Sequence, residues 1–474
     1  MDLKSKAVNA TKWTTLSQVT SAGLQFIQIS LIARVLTPSQ FGLVAITTVI
    51  INFFNIFSDL GLSNSIIYKQ ETDNKILSSV YIINILLGLI IYVLLFFTNN
   101  LFASYYSNNE LSHLILISSL LFLVIPPGQL YQFILQKDLR FKNIALIEIA
   151  GSLAGTALTI FLAYNGFKEL SLIYGQIAMY GFKSLLFLVT GLKYFVPQLY
   201  LNIKSIQEHI RFGLFNLGEN ILNFSSSNSD YMIIGATLGP KFLGYYTLAY
   251  QLVIFPMSKI NPILVKVAFP LLSQMKEKLE IRKAYLKLLD IISFVIVPLL
   301  FGLFAVADEI IPVVYGKGWE VSILIVKILA GVGILRSLSN PIGSLMMSQG
   351  KTEYGFYLNL ITLILQLPVL YFGAKQFGIV GVACGFLLVQ FINNMLAFYF
   401  IKKMIGPLLI DFILNSYKQF LFGIAMILVI TFLKPFIKLD YLPKLVIEIL
   451  LGGIVYVGCS LTWKWNLKEL KRMF

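Results

Sequence analysis

The chain has 474 residues, 57% of them hydrophobic and only 12% charged, with a formal net charge of +15. A water-soluble protein of this length carries about 25% charged residues. Half that share cannot cover a soluble surface, so the composition excludes a soluble globular protein and points to an all-α, polytopic membrane protein.

About a dozen residues, MDLKSKAVNATK, precede the first apolar stretch. They contain no short apolar run followed by a small-residue cleavage site, so the first span is expected to be an uncleaved anchor. Fourteen spans are predicted, near 13–34, 41–64, 78–98, 112–135, 144–164, 169–191, 211–236, 242–265, 286–307, 320–348, 355–374, 378–401, 416–433 and 444–463. The seventh is the weakest by hydropathy, because it contains GENILNFSSSNSD. Such polarity at membrane depth suits a helix that faces protein or a water-filled cavity.

One heptapeptide is written twice. LTPSQFG at 36–42 returns as LGPKFLG at 238–244, with Leu, Pro and Gly aligned at an offset of 202. Each copy falls between two spans, where proline cannot continue a helix and glycine is expected to permit the sharp return. The offset carries spans one to six onto spans seven to twelve. LQKDLRF at 135–141 and SQGKTEY at 348–354 then occupy equivalent loops. Six spans per copy give both copies the same orientation, as in the parallel repeats of alternating-access transporters. The expected division is 1–191 for the first lobe, 192–210 for a cytoplasmic linker, 211–402 for the second lobe, and 403–474 for two further helices and a tail.

Loop charge orients the chain. With the N-terminus inside, the inner loops collect 25 Lys and Arg and the outer ones 8. Both termini are therefore expected on the cytoplasmic side. The net charge then needs no nucleic acid, and anionic lipid head groups are the expected neighbours of MKEKLEIRKAYLK at 275–287. Cys384 and Cys459 lie in apolar runs, and His113 and His209 lie far apart in sequence, which leaves no metal motif, and no cofactor is expected. GKT at 350–352 lacks the glycine that a phosphate-binding loop needs five positions before Gly350, where Leu345 stands. GSLAG at 151–155 and GVACG at 381–385 have the spacing of close helix packing.

An ionisable residue at the centre of a span costs roughly 2.5–3.5 kcal/mol on insertion scales and usually faces an interior. The candidates are Asp59, Lys183, Glu219, Asp230, Lys259 and Arg336, with Arg34 at the outer end of span one. Lys183 has snorkelling as its alternative, and Asp59 has a helix-end role. Glu219 and Asp230 are eleven apart and share a face with Asn223 and Ser226, which predicts a wet cavity wall. Arg336 is followed by Asn340 and Pro341, and Pro341 is expected to kink its span and release backbone carbonyls.

LIARVLTPSQFGLVAITTVI followed by FSDLGLSNSII resembles the opening of Wzx-type polysaccharide-unit flippases of the multidrug/oligosaccharidyl-lipid/polysaccharide exporter superfamily. KINPILVKVAFP, VYGKGW and GILRSLSNPIGSLMMSQGKTEYGF resemble its colanic-acid and teichuronic-acid branch. The resemblance runs from the N-terminal TKW to span twelve. It implies fourteen helices, with two six-helix lobes in a V around a central cavity. It further implies an undecaprenyl-pyrophosphate-linked oligosaccharide as substrate, moved from the inner to the outer leaflet of the bacterial inner membrane. In that setting Arg34, Lys259 and Arg336 would hold the pyrophosphate. Asp59, Glu219, Asn223, Ser226, Asp230 and Asn340 would meet sugar hydroxyls or couple to H+ or Na+, and a polysaccharide polymerase would be a partner. The mixed, partly basic span charges favour this over a cation-coupled drug exporter on the same fold. A membrane glycosyltransferase is disfavoured because no loop carries an acidic cluster, so no enzyme is expected.

The loop-charge assignment has a direct test. Alkaline phosphatase fused after Lys168 or Lys375 should be active, and fused after Lys137 or Lys402 inactive; the reverse pattern would invert the topology.

Overall fold

The computed structural model describes residues 3–203, 206–275 and 277–462; for residues 3–8, 211–216, 219, 256, 258–271, 352 and 462 it describes the backbone alone. Among the described residues all regular secondary structure is helical. The chain divides into two compact units, Met1–Gly244 and Tyr245–Phe474. Among the described residues, eight helices are long and apolar enough to cross a membrane, or nine if the bent segment Glu110–Lys137 is one span. The outward faces of these helices carry Leu89, Ile90, Phe97, Leu428 and Ile454, all exposed, which is the surface that lipid requires.

The first unit contains α1 (Leu3–Ile32), α2 (Pro38–Asn55), α3 (Leu62–Lys69), α4 (Asn74–Tyr105), α5 (Glu110–Ser119), α6 (Leu121–Val124), α7 (Pro126–Lys137), α8 (Phe141–Tyr164), α9 (Leu170–Gly191) and α10 (Gln207–Thr237). α11 (Pro240–Gln274) begins here and passes into the second unit. The predicted span at 112–135 bends by 47° where Pro126 cannot donate to the helix. The Phe122 carbonyl, which an N–H at position 126 would otherwise engage, lies against Gly88 of α4, where a Cβ would come within 2.2 Å of it.

α1 and α8 run side by side and are joined by hydroxyls. Ser17 donates to Glu148 at 2.6 Å, Ser21 meets Ser152 at 3.1 Å, and Thr156 donates to Gln28 at 3.1 Å. α8 meets α9 through the first glycine pair. A Cβ on Gly155 would lie 2.9 Å from the Gly175 carbonyl, and one on Gly175 would lie 1.7 Å from Thr159 Oγ1. The spacing thus serves close packing, as a small-residue motif does between membrane helices. At the other end of the unit the buried His209 of α10 sits 2.6 Å from Ser65 Oγ of α3, while Lys69 pairs with Glu208. Burial pushes the His209 pKa down, which keeps the ring neutral at pH 7.

The two heptapeptides meet inside this unit. Thr37 caps α2, with its side chain accepting from the Gln40 N–H while the Gln40 side chain accepts from Thr37 N at 2.9 Å, and Pro38 takes the first helical position. Pro240 starts α11 in the same way. The glycines do not make the turn, contrary to the sequence-based expectation. Gly42 and Gly244 lie within α2 and α11, and each faces the other copy's proline. A Cβ on Gly42 would fall 1.7 Å from the Pro240 carbonyl oxygen, and one on Gly244 would fall 1.8 Å from that of Pro38. The motif is a reciprocal backbone contact. In the second copy the return falls to Gly239 at φ 82°, one position before the proline.

The second unit adds α12 (Lys278–Ala305), α13 (Ala307–Tyr315), α14 (Val321–Ser339), α15 (Pro341–Ser348), α16 (Thr352–Ile405), α17 (Leu409–Leu433), a 3-10 turn at Lys434–Phe436, and α18 (Tyr441–Thr462). α16 is a hairpin of two helices that reverses at Gly378 (φ 60°, ψ −145°), a conformation open essentially to glycine alone. Its arms touch where a Cβ on Gly381 would lie 2.1 Å from the Gly373 carbonyl, and Asn393 donates to Thr362 across them at 2.7 Å. The predicted break at Pro341 is present, between α14 and α15. α17 lies along α12, tied by an Arg282–Asp411 pair and by Gln419 donating to Asp290 at 2.5 Å. α18 closes this core with Tyr456, which donates to the Phe294 carbonyl.

Gly42→Ala and Gly244→Ala should each lower thermal stability by about 1–3 kcal/mol or more, the cost of overpacking against backbone. Gly23→Ala, with nothing within 4 Å of its Cβ, should not, as read by thermal unfolding in detergent.

Candidate functional site

The first unit encloses a polar cavity of about 560 Å³ between α2, α7, α8 and α9. Thr48, Asn52 and Asn55 of α2 line it at helical spacings of four and three. Gln176, Tyr180 and Lys183 of α9 repeat that spacing on the facing wall. Gln129 and Gln132 come from α7, and Glu148 from α8. α2 and α9 thus each turn a polar stripe toward the cavity. This segregation lets uncharged amides and two opposite charges sit at membrane depth.

Lys183 is held there by a void. Its stem lies over Gly151 of α8, where a Cβ would fall 2.2 Å from Lys183 Cγ, and its ammonium sits 5.6 Å from the Tyr180 ring centroid. The first glycine of GSLAG thus makes room for a cation, and the second makes the helix contact. Glu148 opposes Lys183 within the same wall and accepts from Ser17. A second crevice of about 530 Å³, apolar, lies beside Phe53, Phe54, Leu94, Phe102, Tyr105 and Met232.

The other sequence candidates fall elsewhere. Arg34 is exposed just after α1. Asp59, in the turn between α2 and α3, accepts from Ser63 N at 3.2 Å, from Ser63 Oγ and from Asn84 Nδ2 at 3.0 Å, which ties that turn to α4. On α10, Asn223 is exposed and Ser226 half-buried, while Asp230 is fully buried and accepts from Tyr231 N at 2.9 Å. None of these lines the polar cavity. In the second unit, half-buried Arg336 donates to the Tyr250 hydroxyl at 2.6 Å, and Tyr250 stacks on Tyr246. Asn340 is exposed at the α14–α15 break. Gln390 donates to the Ser339 hydroxyl, and Asn394 donates to the Leu335 carbonyl, which ties α16 to α14. The side chains of Glu219 and Lys259 lie outside the described residues.

Glu148, a charge within the predicted span 144–164, and the amides on α2, α7 and α9 are not among the sequence candidates. The signal that would find them is polar side chains recurring at i, i+4 and i+7 inside apolar segments.

Residues 31–324 match the family described as polysaccharide biosynthesis protein. The chain is 32% identical over 457 residues to the lipopolysaccharide biosynthesis protein WzxC of Escherichia coli (strain K12), covering 96% of this chain and 89% of that one. It is 29% identical to the teichuronic acid biosynthesis protein TuaB of Bacillus subtilis (strain 168), covering 88% and 87%. Among solved structures it resembles the lipid II flippase MurJ in an inward closed conformation. The TM-score is 0.78 at 16% identity, over 95% of this chain and 98% of that one.

Hydration of the polar cavity is directly measurable. With Cys384 and Cys459 replaced by serine, Gln132→Cys and Gln176→Cys should react with a charged thiol reagent, while the lipid-facing Ile90→Cys should not. Equal protection of all three would mean a dry interior.

Proposed function

Since the chain belongs to the polysaccharide biosynthesis protein family, we propose that it moves a lipid-linked oligosaccharide repeat unit from the cytoplasmic to the outer leaflet of the bacterial cytoplasmic membrane. The observation that carries this reading is the match along nearly the whole chain to a relative named for lipopolysaccharide biosynthesis. It is supported by a fold like that of a flippase named for another lipid-linked precursor. The substrate is an undecaprenyl-pyrophosphate-linked glycan, and the process is alternating access by two six-helix lobes within a fourteen-helix chain whose termini are both cytoplasmic. Such a molecule poses one physical problem, which is to carry a charged, hydroxyl-rich head across hydrocarbon while the chains of the lipid stay in it. Polar stripes on otherwise apolar helices meet that need.

In this reading Arg34, Lys259 and Arg336 hold the pyrophosphate. Arginine suits the role because its fixed fork of donors matches phosphate oxygens. Arg336 also has a side chain held by Tyr250 rather than loose in solvent. Glu219, Asn223, Ser226, Asp230, Asn340 and Asp59 serve sugar hydroxyls or ion coupling, with H+ or Na+ as the driving ion. The polar cavity at Lys183 and Glu148 belongs to the same machinery. A polysaccharide polymerase takes up the delivered unit.

Arg336→Glu and Lys259→Glu should each abolish surface polysaccharide and leave the lipid-linked unit on the cytoplasmic side, with the protein at normal abundance in the membrane. Arg336→Lys should keep part of the output, since it keeps the charge and loses the fork. Unaltered polysaccharide in both charge reversals would remove these residues from the site.

A further inference from the structure

Six charged side chains converge where the last two helices meet the rest of the second unit. Asp308 and Glu309 open α13, Lys327 lies on α14, Lys434 follows α17, and Lys444 and Glu448 lie on α18. Lys327 binds Asp308 at 2.9 Å, Lys434 binds Asp308 at 2.6 Å and Glu309 at 2.8 Å, and Lys444 binds Glu309 at 3.1 Å. Burial deepens across the group: the Asp308 side chain is 40% exposed, that of Glu309 is 3% exposed, and Glu448 is 1% exposed.

Glu448 does not fit this scheme as a carboxylate. All three lysines are engaged by Asp308 and Glu309, and neither Glu448 oxygen receives a hydrogen bond. Its carboxyl instead faces that of Glu309 at hydrogen-bonding range, with Lys434 and Lys444 as the nearest cations. Two ionised carboxylates offer only acceptors to each other, so such a contact is repulsive and unsatisfied. One proton removes both faults. The Glu448 O–H then donates to the Glu309 carboxylate, which keeps its two lysines. The surroundings contain three ammonium groups, so a metal cation is not the fitting occupant.

We propose that Glu448 and Glu309 form a proton-binding site that seats α18 on α13. The proton comes from and returns to water on the side where Asp308 is exposed. Removing it leaves two adjacent buried carboxylates, so the seat is firm at low pH and weakens as pH rises through release. The site is independent of what the protein transports.

The test uses the purified full chain in lipid nanodiscs. The infrared difference spectrum of wild type minus Glu448→Gln should contain one carboxylic-acid C=O band that shifts in D2O and disappears at alkaline pH. Glu448→Gln copies the protonated shape, so its melting temperature should match wild type at low pH and lose the alkaline fall. Glu309→Gln replaces the accepting carboxylate by a neutral amide, so the band should be lost or displaced in that variant, which keeps the proposal testable if Glu448→Gln does not fold. Absence of the band from wild type, or its persistence in both variants, would overturn the site, as would an alkaline fall in stability unchanged by Glu448→Gln.

Discussion

The reciprocal fit of two glycines against two prolines is the constraint on which the first unit turns. Gly42 faces the Pro240 carbonyl and Gly244 that of Pro38, each at a range that only a missing side chain permits. In water, burial of apolar surface would hold two helices together. In lipid that drive is absent, and association depends on dispersion contacts between closely approaching backbones. The α8–α9 contact at Gly155 and Gly175, the α4 contact at Gly88 and the α16 hairpin at Gly373 and Gly381 follow the same rule. The fold is organised by where side chains are missing as much as by where they are present.

Polar chemistry then occupies what the close contacts leave open. Serines and threonines join α1 to α8, amides join the arms of α16, and the cavity between α2, α7, α8 and α9 gathers amides with one lysine and one glutamate. Such groups gather where neighbouring helices supply polar partners, because hydrocarbon offers none. Both units show the pattern, the first around Lys183 and Glu148, the second around Arg336 and the carboxyl cluster of α13 and α18. A family that handles polysaccharide at a membrane needs such segregated polarity, and the ion pairs beyond it need long-range pairing that only the folded chain supplies.

Much of the architecture could be read before any coordinates. Apolar runs placed many of the helices, the repeated heptapeptide marked two equivalent breaks between helices, and Pro341 marked the point where α14 gives way to α15. The part that escaped has physical reasons. Glycine at 42 looks the same in sequence whether it turns a chain or admits a neighbouring carbonyl, and only the partner 198 residues away decides. The stripe Thr48, Asn52, Asn55 is uncharged, so no ionisable residue marks it within its span. Lys327 and Glu448 carry charge within spans, yet their meaning rests on Asp308 and Glu309, which lie at the edge of a different helix.

The hairpin at Gly378 has a consequence for how the protein is made. Each arm of α16 is long enough, at about 1.5 Å per residue, to cross the hydrocarbon core. The turn occupies a few residues, and no loop separates the arms. The ribosome therefore delivers both arms to the bilayer almost together. Thr362 and Asn393 can find each other at the insertion machinery, before either amide or hydroxyl has to face lipid alone. A larger residue at 378 would delay that pairing during synthesis, even where the finished protein tolerated it.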